Sequence, residues 1–367
     1  MIIGVPKEIK DHESRVSVTP DGVRTLCAGG HALWVESSAG NASGFTDEEY
    51  RKAGAHIAAS PEEVFQEAEL IVKVKEPQAS EYKFFRQGQT LFTFLHLAAS
   101  VELTRALMDA GITAIAYETT ESDDHSFPML SPMSEIAGRM SVQIGAHYLE
   151  KSQGGRGVLL SGVPGVAPAH VVVLGAGVVG AAAVRIAVGM CAQVSVFNLD
   201  LQRLQYLDDL YRGRVVTHAP HQTWIDQEVE QADLVVGAVM IPGARAPRIV
   251  SRTVVSRMRP GSVIVDVSVD QGGCIETTRP TTHSEPVYFL DGVLHYGVPN
   301  MPGIVPHTST LALTNATLPF IVHLASAGIA EAIRSHGALR QGVNVIGGKI
   351  ACRGVAEAHG LRYQPLT

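Results

Sequence analysis

Apolar residues in the first third of the chain come in short runs separated by longer, mixed stretches. The runs at 2–5 (IIGV), 32–36 (ALWVE), 70–74 (LIVKV), 91–95 (LFTFL) and 112–116 (ITAIA) have the length and the β-branched or aromatic content of strands. Between them, 20–28, 47–53, 61–67 and 101–110 read as helices. Strands alternating with helices predict a largely parallel sheet covered on both faces. After Glu118 a polar loop at 119–126 leads past Pro128 and Pro132 to a helix expected from about 134 to 153, the link into a second region. The stretch 154–168, rich in Gly and Pro, reads as loop.

The second region opens on HVVVLGAGVVGAAAVRIAVGMCAQVSVFNLD, residues 170–200. An apolar run at 171–174 breaks into Gly175-Ala176-Gly177-Val178-Val179-Gly180, followed by a helix-compatible stretch and a second β-branched run at 194–197. Strand, glycine turn, helix and strand within roughly thirty residues is the arrangement that binds a dinucleotide. Gly175 permits the tight turn, and Gly177 lets the backbone approach a pyrophosphate. Gly180 lets the helix lie close to the sheet, with its free N–H groups facing the phosphates. The second strand of such units commonly ends in an acidic residue that bonds the ribose hydroxyls. Here the first polar residue is Asn198, with Asp200 and Arg203 beyond it, and an asparagine does not repel a 2′-phosphate as a carboxylate would. NAD is still the expected cofactor.

Further strands are expected at 234–238 and 263–267, with a weaker one at 287–290. A Pro-containing loop at 301–310 then leads into a long helical run of small residues near 309–330, which is expected to return to the first region. The predicted architecture is α/β: two Rossmann-like, doubly wound parallel-sheet domains with a cleft between them. The substrate domain would comprise 1–128 plus 308–367, and the dinucleotide domain 129–307.

Composition narrows the class. The 367 residues are 46% hydrophobic and 18% charged, enough for two real cores, and the net charge of −7 offers no basic surface to a nucleic acid. The most apolar windows, 171–189 and 311–331, are broken by glycines, Arg185, Asn315 and His323, so both read as core elements and no membrane partner is expected. MIIGVPKEIK lacks the layout of a signal peptide. Cys27, Cys191, Cys274 and Cys352 form no CxxC pair, which suits reduced thiols in the cytoplasm. His12, His56 and the remaining histidines show no ligand spacing, so no metal site is expected.

In open parallel sheets ligands lie beyond the carboxyl ends of the strands, which directs attention to the polar residues there. Arg15 follows the first strand and Lys75 the third. Arg suits bidentate carboxylate binding and Lys supplies a compact charge, although either is ordinarily a solvated surface residue. His96 ends the run LFTFL and is open to two readings, a core histidine with satisfied hydrogen bonds or a general acid/base. Asp270 lies beyond VIVDVSV, before Gln271-Gly272-Gly273. It is either an ordinary turn residue or a contact to cofactor or substrate, whereas Asp266, inside the strand, reads as structural.

MIIGVPKEIKDHESRVSVTP, VKVKEP, LFTFLHLAA, VLGAGVVG, VDVSVDQGGCIETTRPTTH and VPNMPGIVPHTSTLALTNA, in that order, resemble the alanine dehydrogenases and the related nucleotide-binding subunits of transhydrogenase. The resemblance runs from Met1 to beyond Ala316. It implies reversible, NAD-dependent oxidative deamination of L-alanine to pyruvate and ammonia by a cytoplasmic homohexamer. It further implies that Arg15 and Lys75 hold the substrate, with Arg15 on its carboxylate, that His96 is the acid/base, and that Asp270 is the second catalytic group. Cofactor positions carried over are Ser134, Gly175, Gly177, Gly180, Asn198 and Arg203 in the first half of the second region. Val239, Val267, Arg279, Asn300 and Met301 complete the set. Position 198 departs from the family, where Asp is typical. The alternatives are a transhydrogenase-like nucleotide subunit and an NAD(H) sensor without turnover. Neither needs Arg15, Lys75, His96 and Asp270 together.

Overall fold

The computed structural model describes residues 1–240 and 245–366. The chain divides into two compact units, Met1–Met133 with Gly303–Thr367, and Ser134–Pro302.

In the first unit six strands run parallel: β1 (Ile2–Val5), β2 (Ala32–Glu36), β3 (His56–Ala58), β4 (Leu70–Val72), β5 (Thr90–Thr93) and β6 (Thr113–Ala116). The helices Pro20–Ala28, Asp47–Ala53 and Pro61–Glu67 start where their caps dictate. Thr19, Thr46 and Ser60 each accept a first-turn backbone N–H, and the Glu49 carboxylate in turn accepts the Thr46 N–H. Val64, Phe65, Ile71, Leu91, Leu103 and Leu107 form the centre of one core cluster. β1 pairs with β2 on one side and β4 on the other, so the winding direction reverses between β1 and β4. Such a reversal opens a crevice at the carboxyl ends of the two strands.

The boundary between the units falls inside the helix Ser131–Tyr148. It starts earlier than the sequence suggests and ends before Glu150, whose extended backbone (φ −64, ψ 142) leads into the short turn Lys151–Gln153. Two glycines seat it on the second sheet. A Cβ on Gly138 would lie 2.1 Å from the Val179 carbonyl, and one on Gly145 would lie 2.4 Å from the Leu234 side chain. The second unit then contributes β7 (His170–Leu174), β8 (Gln193–Phe197), β9 (Val215–His218), β10 (Leu234–Gly237), β11 (Val263–Asp266), β12 (Val287–Leu290) and β13 (Val293–Tyr296). Their order is β12-β13-β11-β10-β7-β8-β9, all parallel except the β12–β13 pair. β10 and β11 are buried at every residue, as strands covered on both faces should be. Here the winding reverses between β7 and β10.

The chain returns to the first unit through the helix Pro306–Ala327, which ends at Gly328 (φ 81). By length and composition alone this helix could cross a membrane, yet 39% of its most apolar window is buried within the fold. Its first turns are tied to the first unit: Thr310 Oγ1 accepts the Val16 N–H at 3.1 Å, and His307 Nδ1 lies 2.7 Å from the Ser43 carbonyl. The tail, for which the sequence suggested no elements, supplies β14 (Val343–Ile346) and β15 (Lys349–Ile350). β14 pairs antiparallel with β6, completing the order β15-β14-β6-β5-β4-β1-β2-β3. Both sheets are therefore parallel through their centres and carry antiparallel strands at one edge.

Candidate functional site

Arg15, Lys75 and His96 follow β1, β4 and β5, three neighbours in one sheet, and Arg15 and Lys75 flank the winding reversal. Ser17 Oγ donates to the Val72 carbonyl at 2.7 Å, which ties the Arg15 segment to the end of β4. Thr93 Oγ1 donates to the Lys75 carbonyl at 3.0 Å and joins β4 to β5 in the same way.

A carboxylate fixes each of the three. Arg15 is 2% exposed, and its Nε donates to Glu13 Oε1 at 2.6 Å while Nη2 donates to Oε2. Nη1 points to the Met133 sulfur at 3.0 Å. Burial pushes the Glu13 carboxyl up, but the hydrogen bonds and charge of Arg15 outweigh it and hold the group below the ordinary glutamate value. Glu8 Oε1 accepts from the N–H groups of Val74 (2.6 Å) and Lys75 (3.3 Å), and its other oxygen faces the fully buried Lys73 ammonium at 3.2 Å. Glu81 completes that buried triad, 2.9 Å from Lys73 Nζ. Glu118 accepts from the N–H groups of Leu95 and His96, the latter at 2.6 Å. His96 adopts a left-handed backbone (φ 48, ψ 37), unusual for a residue with a Cβ, and its ring stacks on Phe94 with centroids 5.9 Å apart.

Lys75 is depressed below the ordinary lysine value, first by burial and then by the positive charges of Arg15 and Lys10. Two cations crowded at a strand-end crevice are relieved by an anion. An imidazole on the adjoining strand end can both donate and accept a proton. Together they suit a small carboxylate bearing a second oxygen that must gain or lose a proton.

In the second unit the glycine turn has the shape its sequence suggests. Gly175 adopts φ 103, and a Cβ there would lie 2.5 Å from the Ala238 carbonyl. A Cβ on Gly180 would lie 1.8 Å from the carbonyl of Gly175, so the helix Val178–Gly189 can start this close to the turn only with glycine. Gly177 caps that helix, and a Cβ there would meet only Arg203 Nη1, at 3.7 Å. Space and helical N–H groups therefore coincide where a pyrophosphate would sit, and the residues present fit a dinucleotide.

Asn198 does more than stand at the end of β8. Its Oδ1 accepts the Ala176 N–H at 3.0 Å and its Nδ2 donates to the Asp200 carbonyl at 3.1 Å, stitching the glycine turn to that strand end. The Asp200 carboxylate caps the helix Leu201–Tyr211 and lies 3.4 Å from Arg203 Nε. Val239 follows β10 beside the turn, while Val267 and the exposed Asp270 occupy the short turn Val267–Gln271 after β11. Asp266, by contrast, is buried and accepts from the N–H groups of Ser268, Cys274 and Ile275, a structural anchor. Ser134 lies in the first turn of Ser131–Tyr148. The Arg279 guanidinium stacks over Tyr288 at 4.3 Å. Asn300 (φ 57) precedes the buried Met301, which opens the turn Met301–Ile304.

Sequence reasoning missed Glu8, Glu13 and Glu118. Glu13 stands two residues before Arg15, but Glu8 and Glu118 reach their partners only because adjacent strands bring their segments together.

Two doubly wound sheets, one with a pyrophosphate turn and the other with cations and an imidazole at its winding reversal, define a two-domain dinucleotide-binding α/β protein. The chain belongs to the alanine dehydrogenase/PNT family. Residues 4–137 match its N-terminal domain and 141–353 its C-terminal domain. It is 54% identical to the alanine dehydrogenase of Methanococcus maripaludis over 366 residues, covering 100% of this chain and 98% of that protein. With the alanine dehydrogenase of Bacillus subtilis the identity is 50%, covering 100% and 96%. A solved L-alanine dehydrogenase superposes with a TM-score of 0.96 at 51% identity, over 98% of this chain and 99% of that one. The transhydrogenase of Sinorhizobium meliloti is more distant, with a TM-score of 0.83 and 25% identity over 96% and 99% of the two chains.

Proposed function

We propose that this chain is an NAD-dependent L-alanine dehydrogenase, interconverting L-alanine with pyruvate and ammonia. The observation that carries this reading is the grouping of Arg15, Lys75 and His96 at three adjacent strand ends, with Lys75 crowded by Arg15. It is supported by identities of 50–54% to proteins named alanine dehydrogenase over essentially the whole chain.

In this mechanism Arg15 binds the substrate carboxylate through its guanidinium, which Glu13 holds in one orientation. Lys75 sits against the pyruvate carbonyl oxygen and stabilises the negative charge that grows there as ammonia adds. His96 delivers and removes the protons that turn that oxygen into departing water, and reverses those roles during alanine oxidation. Asp270 positions the amine and balances the cationic iminium carbon. Bound NAD would supply the hydride acceptor for the α-carbon of alanine, and NADH the hydride donor in the reverse direction. Gly175, Gly177 and Gly180 with the N-terminus of Val178–Gly189 would hold its pyrophosphate. Asn198, Arg203 and Val239, with Ser134, Val267, Arg279, Asn300 and Met301, would complete the site. The working form is a cytoplasmic homohexamer without a membrane or nucleic-acid partner.

The test is NADH oxidation with pyruvate, run with and without ammonium. Oxidation that requires ammonium is the expected result. Oxidation without it would mean a hydroxy-acid dehydrogenase, and none with any small oxoacid, despite NADH binding, would favour the transhydrogenase-like or sensor reading.

A further inference from the structure

We infer that Glu118 is the positioning residue of His96, fixing both its place and which of its nitrogens carries the exchanging proton. The inference rests on the reading of His96 as the acid/base.

Three observations meet at Glu118. It follows β6, the strand beside β5, and its carboxylate accepts the backbone N–H groups of both Leu95 and His96. Those bonds secure His96 in a left-handed conformation that is costly for a side chain with a Cβ. Strain of this kind persists only where surrounding contacts over-determine it, and it gathers at functional sites. Finally, His96 Nδ1 lies 4.0 Å from Glu118 Oε1, the same oxygen that takes the His96 N–H.

At 4.0 Å the pair is beyond hydrogen-bond length, but the negative charge of the carboxylate favours a proton on the nitrogen that faces it in the neutral ring. Nδ1–H is then directed at Glu118, and Nε2 remains as the end that takes a proton from substrate and returns it. Phe94 stacks on the ring at an interplanar angle of 3° and opposes rotation that would exchange the two nitrogens. Phe94 is in turn held edge-on by the buried Tyr117, the residue before Glu118. One short segment after β6 thus controls the backbone, the ring plane and the tautomer of His96.

Glu118→Gln separates these roles from simple packing. It keeps an oxygen for the backbone N–H of His96 but removes the negative charge that favours a proton on Nδ1, so the ring reverts to the Nε2–H form that a free neutral imidazole prefers. Expected is a fall of about 100-fold in kcat, the scale of general acid–base catalysis, with the pyruvate KM and NADH binding unchanged. Nitrogen NMR of isotope-labelled histidine, with His96 assigned by its loss in His96→Gln, should show Nδ1 protonated in the native chain and Nε2 protonated in Glu118→Gln. A native kcat in Glu118→Gln, a loss confined to KM, or a native His96 protonated on Nε2 would each overturn the proposal. The native NMR spectrum needs neither turnover nor a folded Glu118 variant. Failure of the native chain to turn over would count against the dehydrogenase reading, and the spectrum would still decide the role of Glu118.

Discussion

Replacing Glu13 by Gln tests whether the anchor of Arg15 has the energetic weight its burial implies. The two side chains are 0% and 1% exposed and share a bidentate contact. Removing one partner of such a buried pair costs about 3–5 kcal/mol, because the remaining charge keeps its desolvation penalty without its counter-ion. For units of this size that corresponds to a fall of about 6–20 °C in the unfolding midpoint. The amide cannot form the paired charge-assisted bonds, so Arg15 loses its fixed orientation and the pyruvate KM rises. There is also a signature in acid. The Glu13 carboxyl lies below its ordinary value because Arg15 outweighs burial. Its stabilisation is complete above that ordinary value and is lost as pH falls through the lowered one. The native chain therefore loses stability across this acid window, and Glu13→Gln should show a flatter dependence there. The measurements are unfolding followed by circular dichroism across acid pH, and pyruvate kinetics. A cost below about 1 kcal/mol, typical of an exposed ion pair, together with an unchanged KM would refute the argument.

His96→Ala should abolish turnover while NADH binding, followed by fluorescence, persists; normal alanine oxidation would remove His96 from the mechanism. Asn198→Asp should raise the preference for NADH over NADPH, since a carboxylate beside the ribose repels a 2′-phosphate while its oxygen can still accept the Ala176 N–H. An unchanged ratio of the two kcat/KM values would show that position 198 only stitches the turn. Lys75→Met should make the ligand-free chain more stable at neutral pH and eliminate turnover. Burial first, then Arg15 and Lys10, lower the Lys75 ammonium below the ordinary lysine value, so its destabilising effect is full below that lowered value and disappears as pH rises through the ordinary one. A less stable Lys75→Met in urea unfolding at neutral pH would contradict that sign.

The legible parts of this fold were those with local punctuation. Thr19-Pro20, Thr46-Asp47 and Ser60-Pro61 mark helix starts through capping chemistry that needs no tertiary partner, and all three helices begin there. The continuous apolar runs of β7, β10 and β11 announce strands buried on both faces. β3 has only three residues and opens on an exposed histidine, and β13 contains the buried His295, so neither has the expected apolar pattern. β14 was missed because VNVI becomes a strand only against β6, with Asn344 buried there. The same division runs through the site. The glycine turn carries its own geometry, and Arg15, Lys75, His96 and Asp270 stand at strand ends. The carboxylates behind them do not show, because Glu8 meets Lys75 across 67 residues of sequence and Glu118 meets His96 across 22.

The placement of β14 and β15 has a consequence for how the protein is made. A chain leaving the ribosome forms its N-terminal parts first. Yet β6 cannot receive its antiparallel neighbour until the whole of Ser134–Pro302 has been synthesised. During that interval β6 presents an open row of backbone donors and acceptors, a template for mispairing. A stop codon before Val343 would leave a nearly full-length polypeptide with this edge permanently uncovered.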